Sequence, residues 1–312
     1  MASRILSVRK TVAAAVAGGT LLAAAPLIAW GTTTSNASDT PPPELTAKGA
    51  SLINGKGESL YGKNVNDDRN MASTVKIMVA SMVLDKKNVD LDRKVPVRQA
   101  YRDYVAEHHA STADLQTGDK LSIRQLLYAA LLPSGADAAY ALADTFGQGA
   151  TRAQRVQSFV VDMNAKGHEL NLGKTKFDTF DGTGGDSSTP KDLAKLAQHA
   201  MQNETFRKIV KTKEYKGEAP AANGRTRYYT WTNTNQLLGS YKGVVGIKTG
   251  TTSKAGECLV FAGERDGKTL VGTVLNSKDR YKDAAKLLDY GFGADDAKDM
   301  KIRRLPSDAQ SD

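Results

Sequence analysis

The chain has 312 residues, 40% hydrophobic and 25% charged, with a net charge of +9. This length can bury a core in one large domain or two small ones, and the composition is that of a soluble globular protein, neither disordered nor fibrous. No basic run is interleaved with aromatics, which argues against nucleic-acid binding; the mild positive excess suits anionic wall polymers or lipid headgroups.

The first segment reads as a targeting signal. Arg4, Arg9 and Lys10 form a positive n-region, residues 11–30 are uncharged and rich in Ala and Leu, and Ser35-Asn36-Ala37 ends in small residues. Residues 1–37 are therefore expected to be a signal peptide or an N-terminal anchor, the apolar stretch being about the 20 residues that a span requires. Either way the remainder lies outside the cytoplasm, secreted or held on the outer membrane face. Residues 38–46 contain Pro41-Pro42-Pro43 and read as an extended linker. The folded part is expected to start near Ala47.

Residues 50–53 and 59–61 suggest two strands about an Asn54-Gly55 turn. Residues 72–84 predict a buried helix with Ser73 at its start. Residues 121–143 predict helix, break, helix, the break being Pro133-Ser134-Gly135. An amphipathic helix is predicted over 153–166. Thr189-Pro190-Lys191-Asp192 has the cap, proline and acid of a helix start. Residues 257–264 and 268–276 flank Arg265-Asp266-Gly267, a hairpin signal. A helix over 279–290 closes the domain 47–292, and residues 293–312 read as a loose polar tail. Strands at both ends and helices between predict an α+β domain whose terminal strands pair into one sheet. Cys258 is the single cysteine, so no intrachain disulfide forms; it sits in a predicted strand as a buried thiol.

Three short motifs carry chemistry. Lys248-Thr249-Gly250 follows the β-prone run 244–247, with Thr251 next. Ser73-Thr74-Val75-Lys76 lies upstream, and Ser134-Gly135-Ala136 lies between. On a helix, residues three apart share a face, so Ser73 and Lys76 present hydroxyl and amine to one pocket. Serine needs such a base to become a nucleophile. A neutral lysine serves if burial or a second cation, here Lys248, pushes its proton off. Thr249 and Thr251 alternate along a strand and offer two hydroxyls on one side, and Gly250 permits close approach. Each motif also has an ordinary explanation. Lys248 could be a solvated strand-end lysine and Ser134 a helix cap. The Ser-x-x-Lys spacing recurs at Ser7…Lys10 and Ser188…Lys191 without catalytic meaning.

The three motifs in this order resemble those of penicillin-binding proteins and related β-lactamases. Residues 45–292 resemble the low-molecular-mass penicillin-binding proteins of the serine-type D-alanyl-D-alanine carboxypeptidase family. The likeness extends to residues 126–139, to Phe159-Val160 with Met163-Asn164, to residues 232–238, and to residues 288–292. It implies a β-lactamase/D,D-peptidase-like fold, an antiparallel sheet flanked by helices plus a helical subdomain. It implies Ser73 as acylated nucleophile, Lys76 as its base, and Ser134 and Lys248 as aids to proton transfer and substrate binding. Thr249 and Thr251 would hold the substrate carboxylate, and the N–H groups of Ser73 and Thr251 the oxyanion. The implied substrate is a peptidoglycan stem peptide ending in D-Ala-D-Ala, with β-lactams as covalent mimics and no metal or cofactor.

One position departs. The family usually has Asn at the third place of the second motif, where this chain has Ala136. That weakens or redirects catalysis, and leaves open a transpeptidase or a penicillin-binding sensor. A β-lactamase would need an added Glu; Glu169-Leu170-Asn171 lacks the Glu-x-x-Leu-Asn spacing. His108, His109, His168 and His199 read as surface or capping residues, and residues 181–186 as a loop that could rim the cleft.

Overall fold

Leu259 and Phe261 pack into one hydrophobic cluster and Cys258, Val260 and Ala262 into another, all of them buried. Successive residues of a strand face opposite sides, so this strand is covered on both faces and lies inside the domain.

A computed structural model describes residues 41–310. The expected signal peptide or anchor lies outside the described residues. The chain opens with β1 (Gly49–Asn54), β2 (Ser59–Lys63) and the short β3 (Arg69–Asn70), then a 3-10 turn over Ala72–Val75 and α1 (Lys76–Leu84). There follow β4 (Lys94–Pro96), α2 (Gln99–His108), β5 (Lys120–Ser122), α3 (Ile123–Leu131), α4 (Ala136–Phe146) and α5 (Arg152–Glu169). After β6 (Ser187–Ser188) come α6 (Pro190–Ala200), α7 (Glu204–Lys211) and the hairpin β7 (Glu214–Pro220) and β8 (Thr226–Thr232). The chain then forms β9 (Val244–Thr252), β10 (Gly256–Arg265), β11 (Lys268–Ser277) and α8 (Arg280–Phe292).

The main sheet has the order β2-β1-β11-β10-β9, and its pairings are antiparallel. The terminal strands do pair: Ala50 lies opposite Val274 and Leu52 opposite Gly272. One face packs on α8 through Leu52, Leu259, Phe261, Val274, Leu287 and Leu288. The other faces the helical body through residues such as Val260, Val271, Ile77, Leu193 and Val210. β9 is an edge strand of this sheet, and its Lys248–Gly250 segment is buried.

Caps agree with the residue types. The Thr189 hydroxyl accepts from Asp192 N with Pro190 in the first turn, and Ser122 with Gln125 forms a capping box on α3. The β10–β11 turn places Asp266 at φ 48° and Gly267 at φ 75°, both left-handed, as a two-residue hairpin loop of type I′ requires. At the N-terminal edge, Thr46 N and Ala47 N donate to the Asp283 carboxylate at 3.0 and 2.7 Å.

Two expectations need correction. The helix after Met71 does not begin at residue 72: Ala72 has φ 47°, and a 3-10 turn carries the chain to Lys76. The tail from residue 293 is not loose. It has no helix or strand as far as residue 310, yet Arg303 donates to the carbonyls of Asn233, Asn235 and Leu238 at 2.7, 3.1 and 3.1 Å. Those three carbonyls lie in the segment between β8 and β9, so the tail braces it.

Candidate active site

Ser73 sits in the 3-10 turn and Lys76 opens α1. Lys76 Nζ donates to Ser73 Oγ at 2.9 Å, to Ser134 Oγ at 3.5 Å and to the carbonyl of Asp181 at 3.1 Å. Lys76 is 1% exposed and Ser134 0%. The structure thus joins Ser73, Lys76 and Ser134 around one amine. Ser134 holds φ 67° between α3 and α4, a conformation that costs a non-glycine residue about 1–3 kcal/mol and persists only where the surroundings enforce it.

Asp137 supplies much of that enforcement. Its fully buried carboxylate accepts from the N–H groups of Ala113, Leu115 and Ala138 and from the Thr112 hydroxyl. Burial pushes its pKa up, and those four donors oppose the shift. Asp137 thereby pins the 112–115 segment to the start of α4. The preceding Ser111 donates its hydroxyl to Ser134 O at 2.7 Å, and its carbonyl accepts from Ala136 N at 2.8 Å. Ala136 is wholly buried as the first residue of α4, and its methyl offers no hydrogen bond.

β9 forms the facing wall. A Cβ on Gly250 would lie 3.0 Å from Ser73 N and 3.1 Å from the Ala72 Cβ, so the strand runs against the backbone of the serine turn. Lys248 Nζ donates to the Thr249 carbonyl at 2.9 Å, and the Thr249 and Thr234 hydroxyls meet at 2.6 Å. Thr249 is 1% exposed while Thr251 is partly open, so the two hydroxyls are not equivalent.

Arg280 carries no motif, and sequence reasoning missed it. Its guanidinium donates to Thr251 Oγ1 at 2.9 Å and to the carbonyls of Gly250 and Cys258 at 3.1 Å each. A signal existed. Arg280 is the first residue of α8, where the helix dipole disfavours a cation, and breaches of a local rule gather at functional sites.

The loop over residues 178–186 forms the floor. A Cβ on Gly182, at φ +91°, would lie 2.1 Å from Ala72 O, so only glycine lets the loop touch the serine turn. Asp181 Oδ1 accepts from the hydroxyls of Tyr104 and Thr183 at 3.2 and 2.9 Å. Asp186 accepts from Asp178 N, Thr179 N and the Thr179 hydroxyl; burial raises its pKa against the pull of those donors.

Ser73, Lys76, Ser111, Asp181, Gly182 and Thr251 line a hollow of about 320 Å³. His108 and His109 line it too, so they are wall residues of the site, which their sequence context did not indicate. His168 and His199 do not line it, and His199 pairs with Asp85 at 2.7 Å. Among the described residues no group of three or more metal-ligating side chains converges, and no helix is long and apolar enough to cross a membrane.

A serine beside a buried lysine, a second serine on the same amine and a KTG edge strand define a serine acyl-transfer enzyme of the D,D-peptidase fold. The chain belongs to the D-alanyl-D-alanine carboxypeptidase family of serine peptidases, whose model matches residues 35–279. It is 46% identical over 293 residues to a D-alanyl-D-alanine carboxypeptidase of Streptomyces sp. strain K15, covering 92% of this chain and 99% of the relative. It is 35% identical over 246 residues to the D-alanyl-D-alanine carboxypeptidase DacB2 of Mycobacterium tuberculosis, covering 76% and 78% of the two chains. The crystal structure of the Streptomyces K15 DD-transpeptidase superposes with a TM-score of 0.80 at 49% identity, covering 81% of this chain and 100% of that one.

Proposed function

We propose that Ser73 is the nucleophile of a D-Ala-D-Ala peptidase that acts on peptidoglycan stem peptides. The observation that carries this is the Lys76 amine, buried and within hydrogen-bond reach of both Ser73 Oγ and Ser134 Oγ. Lys76 takes the Ser73 proton as Oγ bonds to the carbonyl carbon of the penultimate D-Ala. The N–H groups of Ser73 and Thr251 hold the oxyanion. Ser134 relays the proton to the departing amine, the C–N bond breaks, and D-alanine leaves with an acyl ester on Ser73. Water or an amine then attacks the ester and restores the serine hydroxyl. Thr251 and Arg280, with Lys248 and Thr249 behind them, hold the terminal carboxylate of the peptide; Gly250 lets β9 lie against the serine turn.

Resolution by an amine is the favoured route. Ala136 removes the side-chain hydrogen bond that the usual Asn offers the acyl group, and the K15 relative is described as a DD-transpeptidase. β-Lactams acylate the same serine as mimics of the peptide. Since the substrate is a wall polymer, the catalytic domain acts outside the cytoplasm, with residues 1–37 as signal peptide or anchor; N-terminal sequencing of the exported protein distinguishes the two.

The test is labelled penicillin followed by a partition assay. A stable adduct on Ser73, lost in Ser73→Ala, is expected, as is product shifted from hydrolysis to transfer when an amino acceptor is added. Labelling that survives Ser73→Ala would sink the assignment. Rapid release of hydrolysed penicillin would indicate a β-lactamase instead.

A further inference from the structure

A second hollow adjoins the catalytic one. It measures about 660 Å³ and lies among α2, α4, α5 and residues 177–184. That size falls in the range of small-ligand sites, roughly 300–1,000 Å³. His108 and Thr183 line both hollows, so the two are neighbours across a shared wall.

Its lining is aromatic and apolar with a polar edge. Tyr104, Tyr140 and Phe180 form a mutual cluster with ring centroids 5.1–5.3 Å apart, and His108 packs on Tyr104 at 4.1 Å. On α5, Val160 and Val161 supply an aliphatic lip. Val161 is 60% exposed. One exposed valine is ordinary on a surface, but this one borders an aromatic hollow beside an active site. Gln157 brings a side-chain amide to the same space; Thr179 and Thr183 line it too, with their hydroxyls bonded to Asp186 and Asp181.

Charge narrows the ligand. Asp178 lies on the rim; the Gly185 N–H and Lys176 stabilise its carboxylate and lower its pKa, so it is ionised near neutrality. That disfavours an anion in the hollow. A plain alkyl chain would gain nothing from the Gln157 amide and the Asp178 carboxylate. A pyranose ring has both an apolar C–H face and a hydroxyl and amide edge, and the N-acetylated sugars of peptidoglycan are such rings.

We propose that this hollow is a subsite for an N-acetylated sugar of the glycan to which a stem peptide is joined. The inference rests on the peptidase reading above. The D-Ala-D-Ala end occupies the catalytic hollow, the other end of the stem is covalently bound to sugar, and the adjoining hollow receives it. The enzyme then prefers glycan-borne donors to free peptides.

The test compares two donors of identical peptide sequence, one free and one carried on an N-acetylated disaccharide. Penicillin acylation of Ser73 serves as the control for the catalytic reading. Wild type is expected to show at least about fivefold higher kcat/KM on the sugar-linked donor. Val161→Trp, which fills the hollow from a solvent-exposed position, and Val161→Asp should each abolish that preference. Both should leave the free-peptide kcat/KM and the rate of penicillin acylation unchanged. Equal kcat/KM for the two donors in wild type, or a preference that survives both variants, overturns the subsite. So does a preference for a fatty-acylated peptide over the sugar-linked one, which would assign the hollow to an acyl chain. Failure of penicillin acylation in wild type would refute the peptidase reading itself.

Discussion

Lys76 and Asp181, 105 residues apart in sequence, are joined by a 3.1 Å hydrogen bond from the lysine amine to the aspartate main-chain carbonyl. The proposed base is therefore oriented partly by a backbone atom, which no substitution at Asp181 itself deletes. What places that carbonyl is the contact of Gly182 with the serine turn and the grip of Tyr104 and Thr183 on the Asp181 carboxylate.

Gly182→Ala should break this arrangement. The added methyl would meet Ala72 O at 2.1 Å, and φ +91° is itself unfavourable for alanine. The loop must withdraw and take the third partner of Lys76 with it. We expect penicillin acylation to slow at least about tenfold and stability to fall by about 1–3 kcal/mol. Stopped-flow acylation and thermal melts read both; an unchanged acylation rate would mean that the loop does not position the base.

Lys76→Arg separates a proton acceptor from a mere cation. Arginine keeps the charge but stays protonated at any working pH. If Lys76 is the base, Lys76→Arg should lose as much acylation as Lys76→Ala, about 10²–10⁴-fold. Substantial activity in the arginine variant would show that only charge is needed.

Arg280→Gln should weaken recognition of the substrate's free carboxylate. A hydrogen bond to a charged group contributes about 1.5–3 kcal/mol, so kcat/KM on a D-Ala-D-Ala peptide should fall about 12–160-fold. A peptide ending in a carboxamide should lose far less. Equal losses on the two peptides would place Arg280 in the scaffold holding β9, where it also binds the carbonyls of Gly250 and Cys258.

Ala136→Asn should raise D-alanine release from a model peptide by restoring a hydrogen bond, typically about 0.5–1.5 kcal/mol, or about 2–12-fold in rate. The product ratio between hydrolysis and transfer is the informative readout. No change in either would mean that the position is catalytically silent.

Asp186 gives the 178–186 loop a pH signature. Its pKa is raised above the unfolded value of 3.8, so between the two values the folded state holds more of its proton than the unfolded chain does. Stability from this group is greatest below 3.8 and declines as pH rises through the folded value. Asp186→Asn removes the titration. Denaturant melts across this interval should show wild type losing ground to the variant as pH climbs, on top of a constant cost for the lost acceptors. Parallel curves would refute it.

Legibility followed the strength of local signals. The Arg265-Asp266-Gly267 turn, the Thr189 cap and the break at Ser134 were readable because each needs particular residue types at fixed places. The β7–β8 hairpin leaves no such mark: β7 alternates exposed and half-exposed residues over most of its length, so it offers no apolar stripe. The start of α1 differs from the expected one because nothing local announces that Ala72 takes a left-handed φ; packing of Gly182 and Gly250 against that turn accompanies it. Ser73, Lys76, Ser134 and Lys248 could be nominated from motif order. Arg280, Asp137 and Ser111 could not, since each acts through contacts distant in sequence. The wall position of His108 and His109 depends on how the end of α2 meets the 181–183 loop, again a tertiary matter.

The pairing of β1 with β11 sets when this enzyme can exist. A nascent chain that has emerged only as far as α7 already carries Ser73, Lys76 and Ser134, yet lacks β9, β10, β11 and Arg280. Contacts of such long sequence separation form late and slowly, so the acylating centre arises only after synthesis has passed α8. A partly made chain is therefore expected to leave Ser73 unreactive, and a ribosome-bound series of increasing length should acquire penicillin reactivity in one step rather than by degrees.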